Sequence, residues 1–245
     1  MPVVKWIQED QRVRSGTNKT KPMSSWKNWK QAKTGRDNEI AIVRRALAEI
    51  KLCLDHATPN NTTDLYLNNS KKHKAMFDKG ILRLKTHVVD YIDDTTNTRL
   101  FVAYENITAM ASSPPTNQDD LNFGSTRKSM NTIIIHNPFT VPYMVGGQAK
   151  SLSEWGRYIT VLHELTHSLL RTKDVWIKNT VYGVAPADPN NAVSTDDECK
   201  DLAKVASSNA LNVKYAPHIS WYNAENWARA IGSCHPTRAA DAMYV

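Results

Sequence analysis

No apolar run in this 245-residue chain approaches the roughly 20 residues that a membrane-spanning helix requires. The N-terminus MPVVKWIQED lacks the basic-then-apolar layout of a secretory signal. Secretion or delivery is therefore expected by a route without a cleaved signal peptide, with the cytoplasm as the alternative. Cysteine is scarce as well. Cys53, Cys199 and Cys234 cannot all pair within one chain, and none stands in a CxxC motif, which excludes zinc-finger and thioredoxin readings. A Cys199–Cys234 disulfide is conceivable, but buried free cysteine is common, so the redox compartment stays open. The chain also lacks internal repeats and any linker dividing two compositionally different parts.

What is present describes a folded protein. Hydrophobic residues make up 41% of the chain and there are seven Trp, enough for a sizeable core in one domain with or without appendages. The formal net charge of +7 is concentrated near the start, where residues 1–35 hold eight Lys/Arg against Glu9 and Asp10. Such an arm can meet nucleic acid or an anionic membrane through phosphates. A solvated leader, packing through Trp6, Trp26 and Trp29, is the simpler reading. The basic residues are scattered, and no recognisable RNA- or DNA-binding motif follows. The expected organisation is a basic arm over residues 1–35 and a single domain over residues 36–245.

Periodicity supplies the elements. In DNEIAIVRRALAEIKLCLDHA, Asp37 is an N-cap candidate, and Ile40, Val43, Leu47, Ile50 and Leu54 recur at helical steps. TPNNTTD then breaks the chain, and KKHKAMFDKGILRLKTHVVDYIDD predicts a second helical region weakened by Gly80. RLFVAYENI reads as a strand, SSPPTNQDDLNFGS as a loop, and MNTIIIHNPF as a strand ended by Asn137-Pro138. SLSEWGRYITVLHELTHSLLR follows as a helix with Ser151 or Ser153 as N-cap and Trp155, Ile159, Leu162, Leu165 and Leu169 on its apolar face. Helices, then strands, then a helix and a loop-rich end indicate an α+β fold rather than alternating βαβ units.

The segment HELTH in that last helix carries the chemistry. On an α-helix, residues four apart point within about 40° of each other, so His163 and His167 can converge on one Zn²⁺. Glu164, about 100° away, faces the open side of such an ion and can act as general base and then acid towards a bound water. The alternative is a surface helix with two unrelated histidines. Apolar flanks (VL before, LL after) argue instead for an embedded helix, in which His-Glu-His needs a partner. A catalytic zinc needs a third protein ligand and one open position. The extended pattern HExxHxxGxxH fails, because Leu170 and Lys173 stand where Gly and His would be required. Glu225 in YNAENW is a conceivable third ligand from a later helix. Asp174 is nearer, at the end of the helix, where a tight turn can swing its carboxylate back.

This segment resembles the aspzincins, the deuterolysin-like zinc endopeptidases that include fungal peptidyl-Lys metalloendopeptidases. Their pattern is HExxH followed by a GTxDxxYG-like segment, whose Asp is the third zinc ligand and whose Tyr stabilises the oxyanion. HELTHSLLRTKDV continues to VYG, so Thr172 and Asp174 match the T-x-D and Tyr182-Gly183 match the YG. KDLAKVASSNALNVKYAPHISWYNAEN is similar to the family's later alanine-rich helix, Asn-Ala-Asp segment and aromatic pair, with Trp221-Tyr222 at the pair. The resemblance covers roughly residues 99–230 and is strongest over 161–183. It implies a zincin-like, helix-rich fold with a small sheet and an active-site helix. It further implies Zn²⁺ held by His163, His167 and Asp174, Glu164 and Tyr182 as catalytic residues, and a protein or peptide substrate. Bacterial aspzincin domains without leaders resemble effector or toxin modules, which implies an inhibitor or immunity protein as a further partner.

The chain departs from the pattern at three points. Arg171 replaces the glycine of the GT, and seven residues separate Asp174 from Tyr182 where the family's pattern has two. An alternative alignment keeps the short spacing and puts Asn179 at the ligand position. Asp174 is preferred, because a carboxylate is the better zinc ligand. No acidic residues match those tied to lysine preference, so that specificity is not carried over. The Ile133–Ile135 strand is expected to be core, or to take extended substrate by edge addition. His136 near the cleft, and His218 or His235 orienting a ligand, are weaker candidates. Trp176 and Trp221 read as core. The competing expectations are a non-catalytic module on a zincin scaffold and nucleic-acid binding through residues 1–35.

Overall fold

The computed structural model describes residues 5–9, 30–31, 37–68, 71–93, 101–105, 124–127, 132–136, 143–145, 148–178, 181–184, 192–204 and 218–237. In chain order the elements are β1 (Lys5–Glu9), β2 (Lys30–Gln31), α1 (Asp37–His56), α2 (Asn61–Tyr66) and α3 (Lys71–Asp93). There follow β3 (Phe101–Glu105), β4 (Gly124–Arg127), β5 (Thr132–His136), β6 (Tyr143–Val145) and β7 (Gln148–Lys150). The last are α4 (Glu154–Leu170), β8 (Val175–Lys178), β9 (Val181–Val184), α5 (Asp196–Lys204), a 3-10 helix (Ile219–Tyr222) and α6 (Ala224–Gly232). Long helices and short strands together make this α+β in the broad sense. No helix among the described residues is long and apolar enough to cross a membrane.

The chain forms two compact units, one of Met1–Ala48, Val88–Val161 and Ala242–Val245, the other of Glu49–His87 and Leu162–Asp241. The first contains a mixed sheet in the order β2-β1-β3-β5-β4. β1, β3 and β5 run parallel, whereas β2 and β4 are antiparallel to their neighbours. Two expectations change here. Residues 5–9 and 30–31 of the arm pair as strands, a contribution too short to show any apolar period. β5, with Ile133–Ile135, lies between β3 and β4, so both its backbone edges are used and edge addition of a substrate to it is excluded. In the same unit Ser153 caps α4, its Oγ accepting from the Gly156 N–H at 3.0 Å. Trp155, Tyr158 and Ile159 are buried on that half of the helix.

The second unit carries the other half of α4. Leu162, Leu165 and Leu169 are buried there, as are Ile50, Cys53 and Leu54 of α1 and Phe77, Ile81 and Leu84 of α3. The side chains of Ile40 and Val43 lie outside the described residues. The three cysteines are buried thiols outside any disulfide. TPNNTTD breaks the chain only as far as Asn60. Its Oδ1 accepts from the Thr62 and Thr63 N–H groups while Thr63 Oγ1 accepts from the Asn60 N–H, a reciprocal cap that starts α2.

Gly80 does not interrupt α3, which runs 23 residues through it. The reason is packing. A Cβ at Gly80 would lie 2.6 Å from the Trp227 indole, so the missing side chain is the space that Trp227 occupies. Trp227 also stacks on Phe77 with centroids 5.8 Å apart, meets Trp221 edge-on at 5.3 Å, and donates its indole N–H to the Trp221 carbonyl at 2.9 Å. α6 is thereby fixed against α3 within this unit.

Candidate metal centre

α4 ends at Leu170, and Arg171 follows with φ of 63°. This left-handed residue reverses the chain, and the Thr172 N–H returns to the Thr166 carbonyl at 3.4 Å. Thr166 Oγ1 and Thr172 Oγ1 meet at 3.0 Å, joining the last turn of the helix to the returning strand. Asp174 is two residues further on. Its backbone neighbours are tied to the segment before α6: the Lys173 N–H donates to the Tyr222 carbonyl at 2.6 Å and the Ala224 N–H to the Lys173 carbonyl at 2.9 Å. The Val175 N–H donates to Asn223 Oδ1 at 3.1 Å.

This turn places Asp174 Oδ1 3.1 Å from His163 Nε2 and 3.0 Å from His167 Nε2, with the two Nε2 atoms 3.0 Å apart. The rings themselves sit edge to face, with centroids 4.7 Å apart. His163, His167 and Asp174 form a group that could hold a metal ion. Ligand atoms about 2.0–2.1 Å from a tetrahedral ion lie about 3.3–3.4 Å apart, so the observed triangle needs to open by only about 0.3 Å.

The opposite nitrogen of each ring has its own acceptor. His163 Nδ1 is 3.0 Å from Glu225 Oε2, and His167 Nδ1 is 3.1 Å from the Thr172 carbonyl. With Nδ1 donating in both rings, both Nε2 lone pairs point into the triangle beside a carboxylate. Three facing lone pairs repel unless a cation lies among them.

The electrostatics agree. Burial pushes the His163 imidazolium pKa down, but hydrogen bonds to Asp174 and Glu225 and the charges of Asp174 and Glu164 hold it well above its ordinary value. Burial raises the Asp174 carboxyl, and the hydrogen bonds and charges of His163 and His167 more than reverse this, holding it well below the usual range. Groups that stabilise a proton here stabilise any cation. Glu225 is buried on the far side of His163. Arg229 Nη2 lies 2.9 Å from its other oxygen, and that guanidinium group, with His163, keeps its carboxyl below the usual range despite burial.

The candidates sort as follows. His163, His167 and Asp174 come together, and Glu164 is buried on the same turn of α4. The backbone of Tyr182 pairs with Ile177 in the β8–β9 hairpin that opens directly after Asp174, while its side chain and Asn179 lie outside the described residues. Glu225 is not in the ligand triangle but beneath His163. His136 ends β5, its side chain outside the described residues. His235 meets Glu49 at 2.7 Å instead, and His218 precedes the 3-10 helix. Trp176 and Trp221 are buried.

Sequence reasoning missed the roles of Asn223, Glu225 and Arg229. The available signal was a Glu and an Arg four apart in the largely apolar AENWARAIG, where buried opposite charges must pair. Comparison with family models, with curated proteins and with solved structures finds no match to this chain.

Proposed function

We propose that this protein is a zinc-dependent endopeptidase of aspzincin-like, zincin-type fold, with Zn²⁺ held by His163, His167 and Asp174. The observation that carries the reading is the triangle of Nε2, Nε2 and Oδ1 atoms, none more than 3.1 Å from the others, built on an HExxH helix. Two imidazoles and one carboxylate are the donor set of a catalytic rather than a purely structural zinc, since three protein ligands leave one position for water. Bound there, the ion would acidify that water and polarise the scissile carbonyl.

The chain's own residues supply the rest. Glu164 adjoins His163 in sequence, is 6% exposed, and its charge acts on the His163 ring. It takes a proton from the attacking water and returns it to the departing amine. Tyr182 follows Asp174 through one hairpin and is assigned to donate a hydrogen bond to the oxyanion, an interaction worth about 3 kcal/mol in comparable sites.

The test measures zinc content and cleavage of an unfolded protein substrate for the parent and for Glu164→Gln. A parent that holds one zinc and cleaves, with a variant that holds zinc and loses at least about 100-fold in rate, is the expected outcome. A zinc-bound parent that cleaves nothing would reject the endopeptidase in favour of a non-catalytic zincin-scaffold module. No zinc in the parent, even after metal supplementation, would reject the metal reading itself.

A further inference from the structure

We infer that Glu225, held by Arg229, is the positioning residue of this centre, and that the segment Tyr222–Arg229 is a support built for it; the inference rests on the metal reading above. Glu225 is 6% exposed and Arg229 9%. One Glu225 oxygen accepts from His163 Nδ1 at 3.0 Å, and Arg229 Nη2 lies 2.9 Å from the other. The carboxylate is therefore held by a hydrogen bond at one oxygen and by the guanidinium charge beside the other, and it fixes which nitrogen of His163 carries the proton and where the ring points. Arg229 is held in turn, its Nη2 donating to the Ser194 carbonyl at 2.6 Å and its Nη1 3.6 Å from Asp196 Oδ1. Tyr66 donates to the same Asp196 oxygen at 2.7 Å.

A second observation comes from the residue that starts α6. Asn223 is its N-cap, yet its side chain makes no capping hydrogen bond. Ordinarily such a cap stabilises the start of its helix. Instead Asn223 Oδ1 accepts from the Val175 N–H, and its Nδ2 donates to Asn226 Oδ1 at 2.7 Å. Asn226, fully buried, donates onward to the carbonyls of Tyr66 and Cys199 at 2.6 and 2.8 Å. The helix forgoes its own cap to hold the start of β8, the residue directly after Asp174. Within the Tyr222–Glu225 segment the backbone of one ligand is clamped and the ring of another is aimed. A buried ion pair serving stability alone would need neither contact to touch the ligands.

Three proteins are compared: the parent, Glu225→Gln, and Glu225→Gln with Arg229→Gln, which removes both charges together and leaves no buried charge unpaired. Each is stripped of metal, its folded fraction checked by circular dichroism, and titrated with zinc against a chromophoric chelator. The Co²⁺ absorption spectrum of each is then recorded. The expected result is a zinc affinity about 10- to 100-fold weaker in both variants per folded molecule, with an altered Co²⁺ band. A folded variant that binds zinc within twofold of the parent, with the parent's Co²⁺ spectrum, overturns the inference while leaving the metal reading intact. A parent that takes up no zinc overturns both. A parent that binds zinc without cleaving substrate removes only the peptidase, and the positioning role still stands or falls on affinity.

Discussion

At the scale of single residues, the turn that delivers Asp174 depends on a backbone state that arginine adopts at a cost. Arg171 sits at φ of 63° with an exposed side chain, where a Cβ crowds the following carbonyl. Glycine pays no such penalty but loses more freedom on folding. Arg171→Gly is therefore expected to stabilise the protein by roughly 0.5–1 kcal/mol, without weakening zinc affinity, because no ligand is touched. Urea denaturation of the metal-free protein measures the first, and chelator competition the second. A lower denaturation midpoint in the glycine variant would show that the arginine side chain holds the turn in a way its backbone angle does not suggest.

At the scale of elements, α6 and α3 are joined through the site of a missing side chain. Helix propensity alone says Gly80→Ala stabilises α3 by up to about 1 kcal/mol. The 2.6 Å approach of the Trp227 ring says the opposite, since a rigid indole stacked on Phe77 and edge-on to Trp221 cannot yield cheaply. Overpacking of this kind costs about 1–3 kcal/mol, so the net change is destabilising. Because Trp227 lies two residues past Glu225, zinc affinity should fall along with thermal stability. A melting temperature at or above the parent's would mean that α6 can shift to accept the methyl group.

The same pair shows which parts were legible beforehand. α4, its Ser153 cap and its buried leucines follow from local periodicity, and Asp174 could be picked out because only one turn separates it from His167. Gly80 looks like a weakness in the sequence because its reason lies 147 residues away in Trp227. Glu225 is a conceivable ligand from the sequence, which shows that a carboxylate is available but not which side of an imidazole it meets. β5 could be recognised as a strand, but its place between β3 and β4 is a property of pairing across the chain.

At the scale of the whole molecule, charge sets the response to acid. The protein starts from a formal +7, so protonating carboxylates only adds to self-repulsion. Asp196 and Glu198 of α5 are the carboxylates to watch away from the metal ligands. Burial raises the Asp196 carboxyl, but hydrogen bonds from Lys200 and Tyr66 and the charges of Lys200 and Arg229 bring it below its ordinary value. Burial likewise raises Glu198, and the N–H groups of Thr195 and Ser194, at 2.9 and 3.0 Å, reverse it. Both folded pKa values are thus depressed, so in the acid range the unfolded chain binds the extra protons. Their contribution is fully present above the ordinary carboxylate pKa of about 4 and is lost as pH falls through the lower folded values. Urea midpoints of the metal-free parent and Glu198→Gln, compared from pH 7 to pH 3, test this directly. The parent's advantage should hold steady down to about pH 5 and narrow below it as Glu198 itself takes up a proton. A gap that stays constant across that range would mean that what Glu198 contributes beyond the amide does not depend on its charge.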